Sequence, residues 1–200
     1  MRTDIGELVL MNMDGSQRTP LMPNVHSFNT MSNCGDRYFI FDSFTEKQIE
    51  LLRTDADGGN PIGLGEEVLG SDCSPDGKWV LYWTTRKHYR VPVEGGTPEE
   101  LTSLPASAAI AAISPDGKWI AYGFQEGDPV PVPKLGVVAT AGGARAHIFP
   151  LPRGVRGLRW SPDGKGLQCV LTRNGAANIS EQPLAGNCFF RGAKTLATSS

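Results

Sequence analysis

The sequence contains no run of about 18 apolar residues, so no segment reads as a helix that spans a bilayer. The N-terminus, Met1-Arg2-Thr3-Asp4-Ile5-Gly6, passes directly into strand-like sequence without the apolar stretch of a signal peptide. Charge of either sign is nowhere concentrated. The 19 Lys and Arg stand against 21 Asp and Glu, for a net charge of −2, whereas nucleic acid or an anionic membrane surface requires a basic face. Cysteine is sparse, at positions 34, 73, 169 and 188, with irregular spacing and no CxxC, so zinc and redox motifs are missing. Cys73 stands just before a turn serine, where Ile113 and Trp160 stand in later repeats, and is expected to fill the core as a small hydrophobe. Apolar residues never recur at spacings of three and four over a dozen positions, which leaves no helix of consequence.

Glycine and proline are abundant, at 24 and 15 of 200 residues, as expected for an all-β chain with frequent turns. One turn recurs. It reads Ser74-Pro75-Asp76-Gly77-Lys78-Trp79, then Ser114-Pro115-Asp116-Gly117-Lys118-Trp119, then Ser161-Pro162-Asp163-Gly164-Lys165, with a degenerate copy at Ser32-Asn33-Cys34-Gly35-Asp36-Arg37. The glycines at 35, 77, 117 and 164 are 42, 40 and 47 residues apart. Proline at the second position pre-sets φ for a type I turn, and glycine supplies the left-handed residue that follows. A second turn family alternates with the first, at Asp14-Gly15, Asp57-Gly58-Gly59, Glu94-Gly95-Gly96, Ala141-Gly142-Gly143 and Ala185-Gly186.

Each repeat therefore predicts four antiparallel strands, and a four-stranded unit recurring about every 43 residues is the pattern of a β-propeller blade. Blade pieces are expected at 5–22, 27–65, 67–102, 108–150 and 155–186, with 187–200 an off-pattern tail. That makes three full blades with partial blades at both ends. Trp79, Trp119 and Trp160 are sized to pack one blade onto the next, with Val80, Leu81, Ile120, Ala121, Leu167 and Val170 filling in. Strands from the two termini could instead share one blade and close a four-bladed ring. An open arc would expose apolar blade faces and edges, inviting self-association.

The turns, the Ile/Val-Ala/Leu-Tyr strand after them and the Gly-Gly hairpins resemble the TolB-like, WD-type propeller repeats of bacteria. With Arg159-Trp160-Ser161 and Arg173-Asn174-Gly175, they are most similar to the extracytoplasmic propeller of bacterial serine/threonine kinases and winged-helix regulators. The resemblance implies a propeller over about residues 5 to 186 and a binding or sensing role. Propellers of this type also occur in translocation proteins and in prolyl-oligopeptidase-type peptidases. The hydrolase elbow Gly-x-Ser-x-Gly, the kinase glycine loop and any winged helix are missing, so no activity carries over. As written the chain implies a cytoplasmic protein; cut from a longer relative it would be periplasmic or otherwise extracytoplasmic.

Candidate sites reduce to few. Asp76, Asp116 and Asp163 are expected to bond turn amides rather than to catalyse. His26, His88 and His147 lie in different repeats without ligand spacing and are read as solvated or loop residues. Asp55-Ala56-Asp57-Gly58-Gly59 echoes the start of a calcium loop, but Asp57 aligns with the ordinary hairpin turn. Arg86-Lys87-His88 reads as a solvated loop tip. No catalytic residue, metal site or cofactor is expected. The segment Gly127-Asp128-Pro129-Val130-Pro131-Val132-Pro133 replaces the usual loop between second and third strands and is the best contact loop. The expected partner is a protein or small molecule meeting one end of the propeller. The rival readings are the detached propeller of a peptidase and a truncated remnant without function.

Overall fold

A computed structural model describes residues 6–25, 30–44, 48–173 and 176–184, and every regular element in it is a β-strand. No helix among the described residues is long and apolar enough to cross a membrane. The chain divides into two compact units, residues 1–100 and 101–200. His26, Asn174, Gly175 and the tail 187–200 lie outside the described residues.

The first unit holds three sheets. β1 (Gly6–Leu10) pairs with β2 (Thr19–Val25). β3 (Met31–Cys34), β4 (Tyr38–Phe44), β5 (Ile49–Asp55) and β6 (Ile62–Glu66) form an antiparallel meander in chain order. β7 (Gly70–Cys73), β8 (Trp79–Trp83), β9 (His88–Pro92) and β10 (Glu99–Glu100) repeat it. The two meanders pack through β7 against β3 and β4, burying Ile40, Leu51, Val80 and Val91 completely. Arg53 adds a polar tie. It is only 6% exposed, lies 4.2 Å over the Tyr38 ring, and pairs with Asp55 at 2.7 Å and with Glu94 of the β9–β10 turn at 3.3 Å. A buried guanidinium needs such partners, because leaving one unpaired costs several kcal/mol, about 3–5.

The second unit repeats the blade. β11 (Ile110–Ile113), β12 (Trp119–Glu126), β13 (Val132–Ala139) and β14 (His147–Pro150) form a third four-stranded meander. β15 (Val155–Trp160), β16 (Gly166–Arg173) and β17 (Ala176–Pro183) form a three-stranded sheet among the described residues. β15 packs on β11 and β12, and Ala112, Ala121, Leu135, Leu158 and Leu167 make the shared core. Consecutive strands pair antiparallel within a sheet, and within each unit the inner strand of the later meander, β7 or β15, packs on the sheet before it; this is the blade repeat of an all-β propeller.

Two expectations about the core change. Cys73 is not a free core thiol: it forms a disulfide with Cys34, joining the ends of β7 and β3 across 39 residues of sequence. The two cysteines end equivalent inner strands, which packing of adjacent sheets brings side by side. Val170 is 37% exposed rather than buried, because it lies on the outer face of its sheet between its register partners Arg156, which is exposed, and Ile179, which is 40% exposed.

Candidate functional site

In each of the three Ser-Pro-Asp-Gly turns the amide of the glycine donates to the serine carbonyl, at 2.8, 2.8 and 2.9 Å. The glycines have φ of 67°, 71° and 69°, a left-handed conformation that a β-carbon disfavours. Ser74, Ser114 and Ser161 are buried, and each hydroxyl donates to the carboxylate two residues on, at 2.7, 2.6 and 2.6 Å. Each serine oxygen then accepts the amide that opens the next strand, from Trp79, Trp119 or Gly166, at 3.0, 2.9 and 2.9 Å. The aspartates also accept the amides of Lys78, Lys118 and Lys165. The serine hydroxyl is the main reason all three carboxyls sit below the ordinary 3.8, assisted by those amides. Oxygens so engaged, in a group that stays ionised, are poorly placed to act as a general acid or base near neutral pH.

The three tryptophans differ. Trp160 is 9% exposed, sits in the core of the second unit and donates Nε1 to the Ala112 carbonyl at 3.0 Å, tying β15 to β11. Trp119 is 37% exposed, and Trp79 is half-buried with Arg90 5.9 Å over its ring. The difference follows from position: Trp160 precedes its turn on an inner strand, whereas Trp79 and Trp119 follow theirs and open the second strand. The packing role expected of all three is visible for Trp160.

The histidines also separate. His147 is exposed and stacks on Phe149 at 5.9 Å. His88, expected in a solvated tip, is 1% exposed, because it opens β9 opposite Trp83 and alternation turns it inward. Arg86 and Lys87 remain at the surface, and Lys87 pairs with Glu100 at 2.7 Å. In the calcium-like stretch, the Asp55 carboxylate is taken by Arg53 and by Asn60, each at 2.7 Å, and Asp57 accepts the Gly59 amide at 2.8 Å. Among the described residues no three His, Cys, Asp or Glu are grouped to hold a metal ion.

The 127–133 segment is shorter as a loop than its sequence suggests. Pairing of β12 with β13 continues to Glu126 opposite Val132, so part of the extra length becomes strand and residues 127–131 remain as the turn. Its base is pinned by ion pairs from Lys134 and, at 3.6 Å, from Arg145 to Glu126; Lys134 is the main reason the Glu126 carboxyl is lowered. Above that base Val130 and Val132 are 64% and 46% exposed. Beside them opens a cavity of about 380 Å³ lined by Phe124, Pro131, Pro133, Leu151, Pro152 and Arg153. Apolar side chains held outward on a braced loop, next to a recess of mixed polar and apolar lining, are suited to protein contact and contain no reactive group.

Two features escaped the sequence. The disulfide carried no spacing signature. Nor did the close approaches of Tyr82 to Gly65 and of Tyr122 to Gly136, although glycine opposite a tyrosine in paired strands is a signal that alignment of β12 with β13 could have shown.

No protein-family model matches the sequence, and no curated protein matches it either. Solved structures do. The chain superposes on TolB from Acinetobacter baumannii with a TM-score of 0.66 at 18% identity, covering 89% of this chain and 46% of that one. On a putative TolB from Agrobacterium tumefaciens the TM-score is 0.68 at 21% identity, covering 94% and 68%. On an acylaminoacyl peptidase from Pyrococcus horikoshii it is 0.61 at 10% identity, covering 80% and 31%. The chain thus spans about half the length of the Acinetobacter TolB, and it has the TolB-like β-propeller fold.

Proposed function

We propose that this chain is a non-enzymatic binding or ligand-sensing propeller module of a larger bacterial signalling protein, and that it meets a protein partner through the β12–β13 loop. The observation that carries this reading is a contrast of side chains. The carboxylates of the three Ser-Pro-Asp-Gly turns are consumed by their own turns, while Val130 and Val132 stand out in solvent beside a recess. The Cys34–Cys73 disulfide supports an extracytoplasmic setting, since disulfides persist in oxidising compartments. A second reading, the detached propeller of a prolyl-oligopeptidase-type peptidase, is favoured by the likeness to the acylaminoacyl peptidase, of which this chain covers 31%.

The test compares the wild-type chain with Val130→Asp/Val132→Asp as immobilised baits in extract from the source cells. A protein retained by the wild type and lost by the variant, with the melting temperature unchanged, is the expected result. Identical retention by both baits contradicts contact through this loop. Co-retention of a separate hydrolase subunit by both baits would favour the peptidase reading.

A further inference from the structure

Two blades repeat one cross-strand arrangement around their turn tryptophan, and the later copy lacks a member. In the first unit Arg90 stands opposite Leu81, two residues past Trp79, and its guanidinium lies 5.9 Å over the Trp79 ring. Glu99, opposite Arg90 on β10, holds that guanidinium at 2.6 Å. In the second unit Ala121, two residues past Trp119, stands opposite Val137, and Val137 stands opposite His147 on β14. Register therefore puts Val137 at the place of Arg90 and His147 at the place of Glu99. The indole is kept and its cation is lost. Trp79 is half-buried, whereas Trp119 is 37% exposed and has no cation over its ring among the described residues.

Beside Trp119 opens a cavity of about 460 Å³, within the range of about 300–1,000 Å³ common for ligand sites. It lies between the turns of Ser114 and Ser161, whose Pro115 Cδ comes 3.9 Å from the place of a β-carbon on Gly164. Val137, His147 and Trp160 share its wall with Trp119, and Asp116 and Asp163 both line it. Each turn uses one carboxylate oxygen, Oδ1, to accept from the serine hydroxyl and the lysine amide. Neither Oδ2 has a hydrogen bond or ion pair among the described residues, whereas Oδ2 of Asp76 has Lys78 at 3.7 Å. No lysine or arginine among the described residues lines the cavity. An uncovered indole and two carboxylate oxygens thus border a space that the chain fills with no cation of its own.

We propose that this cavity binds the guanidinium of an arginine side chain presented by a partner protein, stacked on Trp119 and paired with Asp116 and Asp163. The template is the chain's own Arg90, a guanidinium over an indole and paired with a carboxylate. A planar guanidinium stacks on an aromatic face and offers a fork of donors to carboxylates, whereas an ammonium is a strongly hydrated point charge. A free arginine would bring its α-carboxylate into a cavity lined by two carboxylates and no lysine or arginine, so a side chain on a polypeptide fits and the free amino acid does not. The cavity shares no lining residue with the recess beside the 127–133 loop and stands whether or not that loop meets a partner.

NMR titration of the full chain, followed on the indole N–H signal of Trp119, tests this with acetyl-Gly-Arg-Gly-amide, its lysine and citrulline counterparts, and free arginine. The arginine peptide is expected to shift the signal, the lysine peptide to bind more weakly, and the uncharged citrulline peptide of the same shape not to bind. Free arginine should bind more weakly than the arginine peptide. Asp116→Asn/Asp163→Asn, measured well below its melting transition, should weaken the arginine peptide roughly tenfold or more, as the loss of charge-assisted bonds implies. Trp119→Leu keeps the backbone amide that the turn serine accepts, and in calorimetry it should lose the preference for arginine over lysine. Val130→Asp/Val132→Asp should bind the peptide as the wild type does, which separates this site from the loop contact. No shift with millimolar arginine peptide, equal affinity for the lysine or citrulline peptide, tighter binding of free arginine, or undiminished affinity in the folded Asn variant would overturn the proposal.

Discussion

The ring of Tyr122 packs over Gly136, its cross-strand neighbour, so closely that a β-carbon at Gly136 would stand 2.5 Å from the ring. Tyr122 is fully buried and cannot swing away. Gly136→Ala should therefore destabilise the second unit by about 1–3 kcal/mol, the cost of overpacking a core. Chemical denaturation measures it; a cost below about 0.5 kcal/mol, within the range of an ordinary surface change, would show that the strands part easily here.

The Tyr122 hydroxyl has no partner among the described residues. Removing an unsatisfied buried polar group is neutral or favourable, so Tyr122→Phe should leave stability unchanged or raise it by up to about 1–3 kcal/mol. A loss of 1 kcal/mol or more in the same denaturation experiment would mean that the hydroxyl is satisfied in solution.

Reducing the Cys34–Cys73 disulfide frees a loop of 39 residues, worth about 4 kcal/mol in the chain-entropy account of cross-links. The melting transition of the first unit should fall on adding reductant, and Cys34→Ser/Cys73→Ser should reproduce the shift and abolish further response. A wild-type transition indifferent to reductant would contradict a formed bond. The buried Cys169 thiol, pushed upward by burial, should stay slow to react with alkylating reagents in the folded chain.

The turn aspartates set a pH dependence. Their folded-state carboxyls lie below the ordinary 3.8, so their contribution is fully present above the unfolded value, about pH 4, and fades as pH falls through the folded value. The melting-temperature gap between wild type and Asp76→Asn/Asp116→Asn/Asp163→Asn should be constant from pH 5 to 7 and close toward pH 2. Ser114→Ala, which removes a buried hydroxyl serving both the turn carboxylate and the Trp119 amide, should cost about 1–3 kcal/mol at pH 7. A gap that widens in acid would reverse the sign of the argument.

The blade repeat was legible because turn chemistry is local: serine, proline, aspartate and glycine each have one conformational task, and the chain repeats them in order. Strand alternation likewise identified Val80, Ile120 and Leu167 as core. What depends on the neighbouring sheet was not legible. Trp79 and Trp160 look alike in sequence, yet their burial is set by which side of the turn they occupy. Cys34 and Cys73 read as scattered until packing of β3 beside β7 brought them together. His88 follows two exposed basic residues but turns inward because strand pairing has already begun. The opposition of Glu50 and Glu66 was least legible of all, since it depends on a register shift in the β5–β6 ladder between Leu51 and Leu52.

The account rests on the repeated aspartates being structural, so that the chain acts by binding. The most direct measurement is product release from chromogenic peptide and ester substrates by the purified chain, run beside Asp76→Asn/Asp116→Asn/Asp163→Asn. The account predicts release no faster than buffer for either protein, with the variant distinguished only by a lower melting temperature. Release by the wild type that disappears in the folded variant would contradict it.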